Sequence, residues 1–262
     1  NIPSAVIDSN IVTGGTVWGI HAENVDSLDI VGNRVENLRV PSGPYSWYAE
    51  EFGAIAVLKS VQNFGRVAGN VVRHIHGNGI VVAHEGITLS VDSNVVADID
   101  SSGLTFQPLG YSSFIGPVAI TRNLFTGARR EALRINWDCD ASATDNNIAG
   151  NRYGVRNLGW ECGFDAFNNW WGHASGPTDC PEGCGAAAGD TVSYAVNWSP
   201  FRGAPNPAVP LLPSPAPPFL AQVRVAPMTN ATVASTDPLD APITGGERLH
   251  APKVRVAQPA SA

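Results

Sequence analysis

Arg134 and Arg156 are the residues of this chain best placed to do chemistry, with Asp138 and Asp140 close behind the first of them. A guanidinium forks onto a carboxylate or sulfate, so the pair could hold an acidic sugar, with Asn136 beside it. A glycoside hydrolase needs paired carboxylates. A polysaccharide lyase needs a carboxylate cluster for calcium and a base to remove a proton. Arg134, Arg156, Asp138 and Asp140 are the best such constellation, and its ordinary alternative is a solvated ladder of charges. His74 and His76 share one side of a strand and could ligate a metal, but no third ligand is evident. His84-Glu85 is no more specific. No Ser-His-Asp spacing, phosphate loop or nucleotide fingerprint occurs, and no cofactor is expected.

What must position these residues is a repeat. An Asn followed by apolar residues recurs at Asn10, Asn33, Asn70, Asn94, Asn123, Asn147 and Asn169. The spacings are 23, 37, 24, 29, 24 and 22, a base period of 22 to 24 with two lengthened units. A small residue keeps the same phase, opening an apolar run at Gly19-Ile20, Gly53-Ala54, Gly79-Ile80, Gly103-Leu104, Ala132-Leu133 and Gly154-Val155. Each unit holds three apolar runs too short for helices, separated by Gly, Asn or Asp turns. One unit cannot bury its apolar side alone, whereas stacked units bury a continuous interior. The pattern predicts an all-β right-handed parallel β-helix of about seven coils over 1–202, with the recurring Asn stacked in a hydrogen-bonded ladder.

The last unit carries a resemblance. Asn168-Asn169-Trp170-Trp171-Gly172 through Gly176-Pro177, then Gly189-Asp190-Thr191-Val192-Ser193 and Ser199-Pro200-Phe201, resembles the closing segment of pectin-lyase-like β-helix domains of prokaryotic surface and secreted proteins. The resemblance spans about 35 residues. Cys180-Pro181-Glu182-Gly183-Cys184 replaces the plain linker of that group. It implies a fold and a domain end near Arg202, but no particular activity.

The long units carry their extra residues at 41–52 and around 109–114. Solenoid insertions fall on one face, often the binding face, and Tyr45, Trp47, Tyr48 and Tyr111 could stack on sugar rings or fold back over the rod. Cys139 and Cys162 lie 23 apart, one coil, and Cys180 and Cys184 flank a short turn. Two disulfides in an oxidising compartment are expected, and a four-Cys zinc site is the weaker reading. Asn197-Trp198-Ser199 and Asn230-Ala231-Thr232 are glycosylation sequons.

A net charge of −7 with no basic stripe argues against nucleic acid, and no run of 18 apolar residues suggests membrane insertion. The chain starts at Asn1 in mid-coil and is expected to be excised from something longer. Thirteen of its twenty prolines lie between Pro200 and Pro259. Residues 203–220 read as a Pro-rich linker and 221–262 as a tail whose strands, Val223–Ala226 and Val254–Ala257, add to a sheet edge of this rod or of another copy. The whole reads as a non-catalytic extracellular or cell-surface module, structural or polysaccharide-contacting, self-assembling through its tail. The alternative is a lyase or hydrolase of the pectin-lyase-like fold.

Overall fold

In the computed structural model, the residues described are 2–16, 18–39, 52–58, 64–83, 88–107, 117–136, 141–159, 163–178 and 187–213. The four cysteines, the insertion aromatics Tyr45, Trp47, Tyr48 and Tyr111, Asp138, Asp140, His84, Glu85 and both tail strands lie outside them. The chain divides into two units, Asn1–Leu212 and Pro213–Ala262, and every described residue except Pro213 belongs to the first.

That unit is a parallel β-helix. Six coils contribute three strands each: β1 (Ala5–Asp8), β2 (Ile11–Thr13) and β3 (Ile20–Glu23); β4 (Ser27–Val31), β5 (Arg34–Glu36) and β6 (Gly53–Leu58); β7 (Phe64–Ala68), β8 (Val71–Ile75) and β9 (Asn78–Ala83). Then come β10 (Thr88–Asp92), β11 (Val95–Ile99) and β12 (Leu104–Phe106); β13 (Val118–Thr121), β14 (Leu124–Ala128) and β15 (Glu131–Ile135); β16 (Ala141–Thr144), β17 (Asn147–Ala149) and β18 (Tyr153–Asn157). A last, irregular part holds β19 (Phe164–Asp165), β20 (Pro177–Thr178), β21 (Gly189–Val192) and β22 (Val196–Asn197). Equivalent strands stack into three parallel sheets of eight, six and eight strands. At about 4.8 Å per step, an eight-stranded sheet is roughly 34 Å long. Among the described residues there is no helix, hence none long and apolar enough to cross a membrane.

The core is a set of axial columns. In the second sheet, Val12, Val35, Val72, Val96, Phe125 and Ile148 sit in register. In the third, Ile20, Ile55, Ile80, Leu104, Leu133 and Val155 do the same. This register corrects the phase of the second coil, where Ala54-Ile55, not Gly53-Ala54, is the repeat's landmark; Gly53 pairs with Asn78. The landmark must be small because the next coil lies against it. A Cβ on Gly79 would stand 2.5 Å from the Gly103 carbonyl oxygen.

The ladder joins the first and second sheets, but at one rung it uses a different residue from the expected one. It runs through Asn10, Asn33, Asn70, Asn94, Asn123, Asn146 and Asn169, so Asn146 replaces Asn147. The backbone N–H and the side-chain amide of each Asn both donate to Oδ1 of the next, at 2.8–3.0 Å. From Asn33 on, the second amide hydrogen goes to a carbonyl of the preceding coil's first-sheet strand, from Ile7 through Ala143, at 2.8–2.9 Å. Within the stack, both donors and both lone pairs of the amide are used, which is what makes its burial tolerable. Every ladder Asn follows a residue with positive φ: Ser9, Gly32, Gly69, Ser93, Arg122, Asp145 and Asn168. The left-handed residue turns the chain and aims the amide inward.

Asn147 does something else. Its Oδ1 accepts from the Asn206 backbone at 2.7 Å and its amide donates to the Asn206 carbonyl at 3.1 Å. Asn206 donates in turn to the Asp145 carbonyl, Arg202 pairs with Asp145 at 3.0 Å, and Val209 is buried. The chain beyond Arg202 therefore stays packed on the sixth coil before the unit ends at Leu212. Asp190 ties β21 to the same coil, accepting from the backbone of Gly150 and Asn151 and from the Asn151 amide at 2.7–3.0 Å. Burial outweighs these bonds and holds its carboxyl above the usual value. At Asp92, burial also opposes the charge, but hydrogen bonds from Arg122, Thr121 and Ser93 prevail and hold the carboxyl below 3.8.

Asn94→Ala strands two donors of Asn70 and the Val67 carbonyl, and should lower unfolding free energy by roughly 2–4 kcal/mol in urea titration. Asn147→Ala should leave the ladder intact, cost about 1 kcal/mol, and speed amide exchange across 203–212. The stabilisation from Asp92 is present above pH 3.8 and is lost as pH falls through its lower folded value. The urea midpoint of Asp92→Asn should therefore fall less than that of the parent between pH 5 and pH 2.5.

Candidate functional site

The outward side of the third sheet carries the residues singled out for chemistry. In β15 and β18 the inward positions are Leu133, Ile135 and Val155, all fully buried, so Arg134 and Arg156 project outward. They are register partners on adjacent coils, about 4.8 Å apart along the rod. The Arg134 Nε donates to Asn136 Oδ1 at 3.3 Å, and the Asn136 amide reaches Gln107 Oε1 at 3.5 Å. Thr105 is the register partner of Arg134 on the other side; it is 1% exposed and its hydroxyl is buried without a hydrogen-bond partner. Gln107 and Asn136 are buried too. Arg134, Arg156 and Asn136 are thus brought together as expected, while Asp138 and Asp140 lie outside the described residues.

The carboxylate that does stand here is Glu131. It shares its parity with Leu133 and Ile135, but it sits at the strand's first position, in the corner of the coil. There it is 1% exposed. Ser102 Oγ donates to its Oε2 at 2.7 Å and Arg156 Nη1 to its Oε1 at 3.1 Å. The guanidinium carbons of Arg152 and Arg156 lie 5.8 and 5.7 Å from the Tyr153 ring centre, within cation–π range. An acidic residue on inward parity is the signal by which the sequence could have disclosed Glu131. Arg129, Arg130, Arg134, Arg152 and Arg156 together make two coils locally basic in a chain of net charge −7.

Toward the first coils the same face turns apolar. Ala56, Leu58, Val81 and Ala83 form a second buried cluster, with Trp18 packed against it. Trp18 stacks on His21 at 4.4 Å between ring centres, and Phe52 lies 5.2 Å away. One sheet face therefore passes from apolar and aromatic to amide and guanidinium along its length.

Where the second sheet turns toward the third lies a groove of about 460 Å³ lined by Arg39, His74, His76, Asp98, Asp100 and Arg129 among others. His74 Nδ1 is 3.4 Å from Asp98, His76 Nδ1 is 2.5 Å from Asp100, and Arg129 Nε is 3.2 Å from Asp100. Among the described residues no group of three His, Cys, Asp or Glu side chains is arranged to hold a metal ion.

No protein-family profile, no curated protein and no solved structure matches this chain.

Removing the Arg156 side chain leaves the Glu131 carboxylate buried with Ser102 as its hydrogen-bond donor. Because Arg156 is 40% exposed, the loss is screened. Arg156→Ala should cost roughly 1 kcal/mol in urea unfolding, and adding Glu131→Gln should recover most of it, as a double-mutant cycle will read.

Proposed function

We propose that this chain is a non-catalytic, extracellular β-helix module, akin to pectin-lyase-like surface and secreted proteins, which contacts an acidic polysaccharide along the outward face of its third sheet. The observation that carries this reading is the fate of the carboxylate at that face. A hydrolase needs two carboxyl groups that reach the glycosidic bond. Glu131 is buried and occupied by Ser102 and Arg156, so it holds a guanidinium in place. The Arg156 guanidinium, 40% exposed, is of the type that recognises the carboxylates of uronic acid chains. The lyase-or-hydrolase alternative draws its acids from Asp138 and Asp140.

Binding should be measured by affinity electrophoresis in gels containing polygalacturonate or alginate, with a neutral glucan as control. The protein should be retarded by the acidic polymers, less so as salt rises, and Arg134→Ala/Arg156→Ala should lose at least tenfold in affinity. No new reducing ends and no unsaturated uronate should form. Turnover that disappears in Asp138→Asn would replace this reading with the enzymatic one. The extracellular assignment rests on cysteine spacing, and a non-reducing peptide map should show Cys139 joined to Cys162 and Cys180 to Cys184.

A further inference from the structure

His74 and His76 remain outside this reading. They flank Ile75, which is 1% exposed and anchored in the core, so both imidazoles are carried on the outer side of one strand end and line one groove. The next coil repeats the arrangement with acids. Ile75 and Ile99 are register partners, which sets His74 beside Asp98 and His76 beside Asp100. The result is a two-by-two grid, with a His–Asp contact along each column at 3.4 and 2.5 Å.

At His76 the short contact to Asp100 engages Nδ1 and turns Nε2 away from the carboxylate, and His74 presents Nδ1 to Asp98 in the same sense at 3.4 Å. An imidazole held through Nδ1–H by a carboxylate, with Nε2 free, is the arrangement found behind metal-bound histidines, where the acid orients the ring and raises its basicity. We propose that this groove binds one borderline divalent transition ion, Zn²⁺, Ni²⁺ or Cu²⁺, through Nε2 of His74 and His76. Asp98 and Asp100 are the positioning residues. Imidazole nitrogen suits these ions, whereas the all-oxygen ions Ca²⁺ and Mg²⁺ find only side chains already committed to histidine and to Arg129. Only two protein atoms bind the ion directly, so the remaining positions are filled by water or by an anion. Arg39 on the preceding coil, bridged in register to His76, supplies the charge that favours an anion there.

The test is calorimetric titration of the tag-free full chain with NiCl₂ at pH 7.5, its thiols first blocked with iodoacetamide. One equivalent should bind. His74→Ala and His76→Ala should each weaken binding at least tenfold, and Asp100→Asn, which keeps both ligands, by about tenfold or more. His76→Gln preserves the hydrogen bond to Asp100 and serves if the alanine variant fails to fold, which circular dichroism will show. Mg²⁺ should give no heat. Absence of nickel binding at 1 mM, or affinity unchanged in both histidine variants, overturns the proposal, the latter by placing any bound ion elsewhere in the chain.

Discussion

The amide-to-amide stack between the first two sheets is the constraint on which the rest of the rod depends. An Asn buried in each coil satisfies its own groups only if the next coil offers an Oδ1 at the same height and the previous coil offers a carbonyl. That condition fixes the axial register of every coil and allows no change of length at its corner. Two residues separate the first-sheet strand from the second-sheet strand in each of the six full coils, from Ser9-Asn10 to Asp145-Asn146. All variation in coil length falls at the other two corners. Those corners flank the third sheet, so the sheet free to vary its surroundings is the one that carries Arg134 and Arg156.

Charge on that sheet is organised by burial. Glu131 and Asp190 are both carboxylates withdrawn from water, yet they serve different ends. Asp190 gathers three N–H donors and closes the last coil on the sixth. Glu131 takes a hydroxyl and a guanidinium and so orients one of the two stacked arginines. On the second sheet, Glu36 binds both Arg34 and Arg73, and this triad is largely buried as well. A chain with few charged side chains thus places several of them where desolvation makes each contact specific.

Much of this was legible in the residues. Period, strand placement, the inward columns and the pairing of Arg134 with Arg156 all follow from where Gly, Asn and the apolar runs recur. The exchange of Asn146 for Asn147 was legible in principle, because spacings of 23 and 23 from Asn123 to Asn169 are more regular than 24 and 22. The packed course of the chain after Arg202 was not. Its composition, rich in Pro, reads as a tether, and what holds it is the Asn147 side chain meeting the Asn206 backbone across 59 positions, with the Asn206 amide and Arg202 both bound to Asp145. Composition reports what a segment can do by itself and carries no record of a reciprocal pair of hydrogen bonds made at such distance.

That clasp also decides how the rod bears load. Tension on the chain beyond Leu212 does not reach the last strands first. It arrives at Asn206 and is handed to Asn147 and Asp145 on the sixth coil, where several hydrogen bonds and an ion pair resist together. The terminal strands β20 to β22, two to four residues each, lie outside this path. The extension can be pulled while the end of the coil stays closed.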